Sequence, residues 1–115
     1  MASCGIDLIF NTEVTGSTST HIGSARILPG TNSNVSFRVM MGTTNAATAS
    51  LEIKKFSDAS TVVTIPATGS GLQDTLTSDY TISGLGIVDG WYDFHLSGSS
   101  GAGSTLIKGI SISLS

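Results

Sequence analysis

Apolar and polar residues alternate with a period of two along several stretches of this chain. Val35, Phe37, Val39 and Met41 are separated by Ser36, Arg38 and Met40. In extended backbone successive side chains point to opposite sides, so this is the pattern of a strand with one face on a core. Leu51 and Ile53 alternate with Glu52 and Lys54 in the same way. The run Thr61-Val62-Val63-Thr64-Ile65 is rich in β-branched residues, whose stiff χ1 suits a pleated surface, and Pro66 is expected to end it. Near the C-terminus Leu106, Ile110, Ile112 and Leu114 fall on one face, with Lys108 in the same register and Ser111 and Ser113 opposite. That is the longest strand candidate. Residues 6–10, 22–28, 79–82 and 91–96 are weaker candidates, bringing the total to about eight.

Turn-formers separate these runs: Pro29-Gly30-Thr31-Asn32, Ala67-Thr68-Gly69-Ser70-Gly71, Val88-Asp89-Gly90 and the Gly/Ser segment 97–103. Short strands punctuated in this way predict an all-β, antiparallel β-sandwich, and eight of them suit a jelly roll of two facing four-stranded sheets. An immunoglobulin-like sandwich is the main competitor, but its Cys, Trp, Cys pattern is missing. Only 46–56 competes as a helix, through its Ala, Leu, Glu and Lys, and the alternation through Leu51 and Ile53 argues against it. The 115 residues are expected to form a single domain spanning 1–115, and no repeat of 20–50 residues is visible.

Composition changes the picture. Only 11% of the residues are charged, against about 25% in ordinary soluble domains. An exposed, poorly charged sheet edge is a template for association, which monomers prevent with Lys, Pro or bulges. This chain has three lysines and two prolines. With a mean hydropathy of +0.28, part of the surface is expected to be covered by identical copies or a larger assembly; the bland alternative is that Ser, Thr and Asn alone keep it soluble.

Charge and length exclude other classes. A formal charge of −3 leaves no basic patch for nucleic acid. No apolar run approaches the roughly 20 residues that span a bilayer, so no membrane segment is expected. Met1-Ala2-Ser3-Cys4-Gly5 shows neither a positive leader nor a long apolar segment, which predicts synthesis in a cytoplasm without a secretory signal. A lone Cys4 makes no internal disulfide and reads as an idle or buried thiol.

Catalytic motifs fail on their spacing. Gly98-Ser99-Ser100-Gly101-Ala102 puts alanine where a nucleophile elbow needs its second glycine, and reads as a flexible hairpin loop. Gly84-Leu85-Gly86-Ile87-Val88-Asp89-Gly90 has its third glycine one position late for a dinucleotide fingerprint, with no helix pattern after it. A triad from His21, a serine and an aspartate is defined by geometry that spacing does not supply. No enzyme and no cofactor are expected. No metal is expected either: Asp7, Asp74 and Asp79 are calcium candidates without EF-hand spacing and read first as solvated turn aspartates, and His21 and His95 are a candidate pair for meeting across a threefold axis.

The segment Trp91-Tyr92-Asp93-Phe94-His95-Leu96 carries a sharper alternation. Tyr92, Phe94 and Leu96 form a core face, and Trp91, Asp93 and His95 form the opposite one. An aromatic plane beside a carboxylate and an imidazole suits stacking on, and hydrogen bonding to, a sugar; the competing reading is that Trp91 packs in an interface or under a loop. Small size, low charge, hydroxyl-rich strands, this segment, the Gly/Ser loop after it and the ending Ile110-Ser111-Ile112-Ser113-Leu114 together resemble the small β-sandwich virion proteins of tailed bacteriophages, namely capsid decoration (cement) proteins and fibre modules. The resemblance implies a non-enzymatic virion protein, a homotrimer that binds the major capsid protein or another virion protein and stabilises the assembled shell. The alternative it leaves open is a carbohydrate- or receptor-binding module that takes a glycan. The expected contact surface is Ile6, Leu8 and Phe10 together with Trp91, Asp93 and His95.

Overall fold

The computed structural model describes residues 4–15, 18–99 and 101–115. The expectations for the Cys4 thiol and for Ser100 fall outside the described side chains.

The chain folds as β1 (Cys4–Thr15), β2 (Thr20–Ile27), β3 (Asn34–Thr43), β4 (Thr48–Lys55), β5 (Thr61–Thr68), β6 (Gly71–Leu76), β7 (Tyr80–Thr81), the short helix α1 (Ile82–Leu85), β8 (Gly90–Gly98) and β9 (Ser104–Leu114). One sheet has the order β1-β9-β3-β6, with β7 also paired to β3; the other has the order β2-β8-β4-β5. All strand pairs named here are antiparallel. Apart from the β4–β5 hairpin and the β6–β7 step, every connection between successive strands crosses from one sheet to the other. This is a jelly roll, with the two-residue β7 added to its eight strands.

The core lies between the sheets, where the inward faces meet. Val35, Phe37, Val39 and Met41 of β3 and Leu51 and Ile53 of β4 are completely buried, as their alternation predicts. Tyr92, Phe94 and Leu96 of β8, in the same sheet as β4, complete the layer that faces β3. Tyr92 brings a hydroxyl into this apolar layer. It donates to the Val88 carbonyl at 2.7 Å and accepts from the Val88 N–H at 2.9 Å, so the buried oxygen is satisfied and the loop before β8 is tied down.

Several local expectations change. β5 continues through Pro66, which pairs with Ser50; β5 is an edge strand, where a residue without an N–H is tolerated. The candidate strand 79–82 is shortened to β7, and α1 follows because Thr81 Oγ1 accepts the Gly84 N–H at 3.2 Å as an N-cap, while Gly86 ends the helix at φ 71°. In β9 the register slips: Gly109 pairs with Met40 but Ile107 with Met41, so Lys108 is an extra residue. Thr105 and Ile107 therefore face the core before this bulge and Ile110, Ile112 and Leu114 after it, and Leu106 and Lys108 do not share their face. The bulge spares Lys108 the cost of a buried charge. β6 was not expected from the sequence at all.

Candidate functional site

The outer face of the β2-β8-β4-β5 sheet gathers the chain's polar and aromatic chemistry. Because Tyr92, Phe94 and Leu96 are held in the core, Trp91, Asp93 and His95 must face outward. Three cross-strand rows follow from the register. Arg26 pairs with Trp91; Ser24 with Asp93 and then Lys54; His21 with His95 and then Glu52.

A bulge at Ile22 makes this face possible. His21 and Ser24 are three apart, so unbroken alternation would put them on opposite sides. The extra residue between the His21–His95 and Gly23–Phe94 pairs returns both to the outer face. Gly23 itself is required here, since a Cβ at that position would lie 2.6 Å from the Phe10 ring. Phe10 packs on Phe94 across the sandwich, with ring centroids 5.6 Å apart.

The polar cluster is continuous. Ser24 Oγ donates to Asp93 Oδ1 at 2.7 Å, and His21 Nε2 lies 3.1 Å from Ser24 Oγ and 3.5 Å from Asp93 Oδ1. The His21 and His95 rings are 5.3 Å apart, so the two histidines are neighbours within one chain, where sequence had offered them as partners across a threefold axis. Burial first, then the charge of Lys54 and the neighbouring His21, hold His95 below its ordinary pKa of 6.5, and Asp93 and Glu52 oppose this less strongly. Serine, histidine and aspartate are thus together but not in relay. The serine proton points to the aspartate, and both groups meet the same imidazole nitrogen, whereas a triad places them on opposite nitrogens.

Beside the cluster stands Trp91, 56% exposed, and across from it Phe56, 70% exposed. The Phe56 N–H donates to the Trp91 carbonyl at 3.0 Å, which holds the residue after β4 against the start of β8. His21, Ser24, Phe56, Trp91 and Asp93 line an open cleft of about 580 Å³. Ser24 and Phe56 were not among the sequence candidates. Phe56 lies in the turn after β4, and nothing in its local pattern places it beside Trp91.

The other sheet presents a different outer face. Alternation along β1 turns Ile6, Leu8 and Phe10 inward, where they pack half-buried against the core. This moves the apolar contact offered by β1 to Ile9, which is 81% exposed. Register aligns Ile9 with Gly109 and Met40 in one row, and Leu106 with Gly42 and Leu72 in another. Gly109 leaves a shallow trough of about 470 Å³ between Ile9 and Met40, whereas the Gly71 carbonyl closes over Gly42 in the second row. Leu76, 62% exposed, stands on the same face opposite Arg38 and is separated from Leu72 by Asp74. Arg38 and Asp74 close one border through paired hydrogen bonds of 2.9–3.2 Å. Their ion pair keeps Asp74 below and Arg38 above their ordinary pKa values.

The calcium candidates are not drawn together. Asp7 accepts from Ser111 at 2.6 Å and Asp74 is engaged by Arg38. Among the described residues no three His, Cys, Asp or Glu side chains are grouped for a metal ion, and no helix is long and apolar enough to cross a membrane.

No family model matches the chain, nor does any curated protein. Solved structures do. The infectious bursal disease virus VP2 subviral particle superposes with a TM-score of 0.58 at 15% identity over 97% of this chain, which spans 32% of the VP2 chain. The CBM36-1 domain of a multidomain xylanase from the hindgut metagenome of Trinervitermes trinervoides gives a TM-score of 0.59 at 12% identity, covering 95% of this chain and 96% of that one. A carbohydrate-binding module CBM36 in complex with calcium and xylotriose gives 0.57 at 18% identity, covering 91% and 97%. At these identities the shared property is the fold, a jelly-roll β-sandwich common to viral capsid proteins and carbohydrate-binding modules.

Proposed function

We propose that the chain is a non-enzymatic structural protein of a virion, a capsid decoration subunit that associates with copies of itself and with the shell protein beneath it. The observation that carries this reading is the outer face of the β1-β9-β3-β6 sheet. Ile9, Met40, Leu72 and Leu76 are all exposed there, the first two across the trough at Gly109, on a chain with only 11% charged residues. Apolar side chains left in water on one face mark a surface that is covered in use. A subunit that binds only the assembled particle stabilises that state by mass action, so no chemistry is required of it. Viral capsid proteins with the same fold support the reading without fixing the virus or the partner. Light scattering coupled to size-exclusion chromatography over a range of concentrations tests it: a homotrimer is expected, and a monomer at every concentration speaks against self-association.

A second reading, a carbohydrate- or receptor-binding module, is favoured by one observation. This chain and the CBM36 domains match over nearly their whole lengths, whereas it spans only about a third of VP2.

A further inference from the structure

We infer that the cleft between Trp91 and Phe56 is a binding site for a neutral oligosaccharide, with a pyranose ring stacked on Trp91 and its hydroxyls hydrogen-bonded to Asp93 and His21. This inference rests on the carbohydrate reading and gives it a place, a ligand chemistry and a set of residues; it is independent of the assembly face on the opposite sheet.

The ligand must be amphipathic on the scale of one ring. Two large aromatic side chains stand in water at the walls, Trp91 and Phe56, and the C–H face of a pyranose covers such a surface. Between them the floor is polar. Asp93 uses Oδ1 for Ser24 and His21, and among the described residues its Oδ2 takes no hydrogen bond, leaving a carboxylate oxygen to accept from ligand hydroxyls. Among the described residues the imidazole of His21 is hydrogen-bonded through Nε2 alone, so Nδ1 is left to meet a ligand as acceptor or donor according to its tautomer. A charge-assisted hydrogen bond to a carboxylate is about twice as strong as a neutral one, which places the discriminating contact at Asp93. The cleft, at about 580 Å³, lies within the usual range of small-ligand sites.

The site is held before any ligand arrives. Tyr92 fixes the loop before Trp91 by two hydrogen bonds to Val88, Phe56 is bonded to the Trp91 backbone, and Ser24 orients Asp93. Such preorganisation removes part of the ordering cost of binding. Neutrality of the sugar follows from charge balance: Asp93 repels a carboxylate, Lys54 beside it in the ladder is offset by Asp93 and by Glu52 in the next row, and Arg26, beside Trp91, is engaged by Asp89 at 3.3 Å.

Trp91 is the chain's one tryptophan, so intrinsic fluorescence reads this cleft alone. The test titrates the full chain with xylotriose, cellotriose, mannotriose, maltotriose and chitotriose at millimolar concentration, with sialyllactose as the acidic comparison, and measures Trp91→Ala, Phe56→Ala and Asp93→Asn by calorimetry. Saturable binding of at least one neutral sugar, weakened about tenfold or more by Trp91→Ala and also by Asp93→Asn, with wild-type circular dichroism in both variants, is the expected result. A neutral sugar whose affinity is unchanged in all three variants overturns this site while leaving the carbohydrate reading intact. Binding of sialyllactose alone overturns the stated ligand chemistry, and binding of none of these sugars overturns site and reading together.

Discussion

Two side chains report on how this fold treats polar groups. His95 lies on the sheet among Lys54, His21, Asp93 and Glu52, and burial, followed by the charge of Lys54 and the neighbouring His21, lowers its pKa from the ordinary 6.5. The unfolded chain then binds a proton more readily than the folded one. His95 therefore contributes stability that is complete above the unfolded pKa and is lost as pH falls through 6.5 toward the folded value. Denaturant melts at a series of pH values should show stability falling with acidification in that window, and His95→Gln should flatten this part of the curve. The second side chain is Thr105, whose buried hydroxyl has no hydrogen-bond partner among the described residues. An unsatisfied buried hydroxyl costs about 1–3 kcal/mol. Thr105→Val keeps the shape and removes the oxygen, so it should stabilise the protein by about 1 kcal/mol and raise the thermal midpoint by roughly 4 °C in a scan.

At the scale of the strand, close backbone approach matters as much as side-chain alternation. Gly42 of β3 pairs with Leu72 of β6, and a Cβ on Gly42 would collide with the carbonyl oxygen of the neighbouring Gly71. Gly42→Ala should therefore part β6 from β3 and cost about 2 kcal/mol in chemical denaturation, with hydrogen exchange speeding up first along β6. Such contacts also mark what the sequence makes visible. β3, β4 and the core face of β8 are readable because one buried face imposes apolar residues at every second position. β6 is not, since it sits at an edge with Leu72 and Leu76 outward and Gln73 and Thr75 inward, the reverse of the usual pattern. Bulges hide the rest. The slip at Lys108 exchanges Leu106 for Ile107 on the core face, and the slip at Ile22 brings His21 beside Ser24; each depends on pairing with a strand distant in sequence. Trp91, Asp93 and His95 were legible as one face because no bulge interrupts them, whereas Ser24 and Phe56 reach the cleft through partners that local pattern does not encode.

For the molecule as a whole, the two sheets divide the work. The outer face of β2-β8-β4-β5 carries a preformed aromatic and polar cleft, and that of β1-β9-β3-β6 carries exposed apolar side chains around the trough at Gly109. The low charge of the chain, visible at once in its composition, points toward association, but which face is covered depends on the strand order. Ile9 and Met40 lie in one row on either side of Gly109, and both are exposed, so charging them should change monomer stability by no more than about 0.5 kcal/mol each while disrupting any contact made there. The most direct measurement is the solution mass of the wild type and of the Ile9→Glu/Met40→Glu double variant by light scattering over one shared concentration range. A wild-type trimer that becomes a folded monomer in the variant is the predicted result; a wild type that is monomeric throughout, or an oligomer that the two charges leave intact, contradicts assembly through this face.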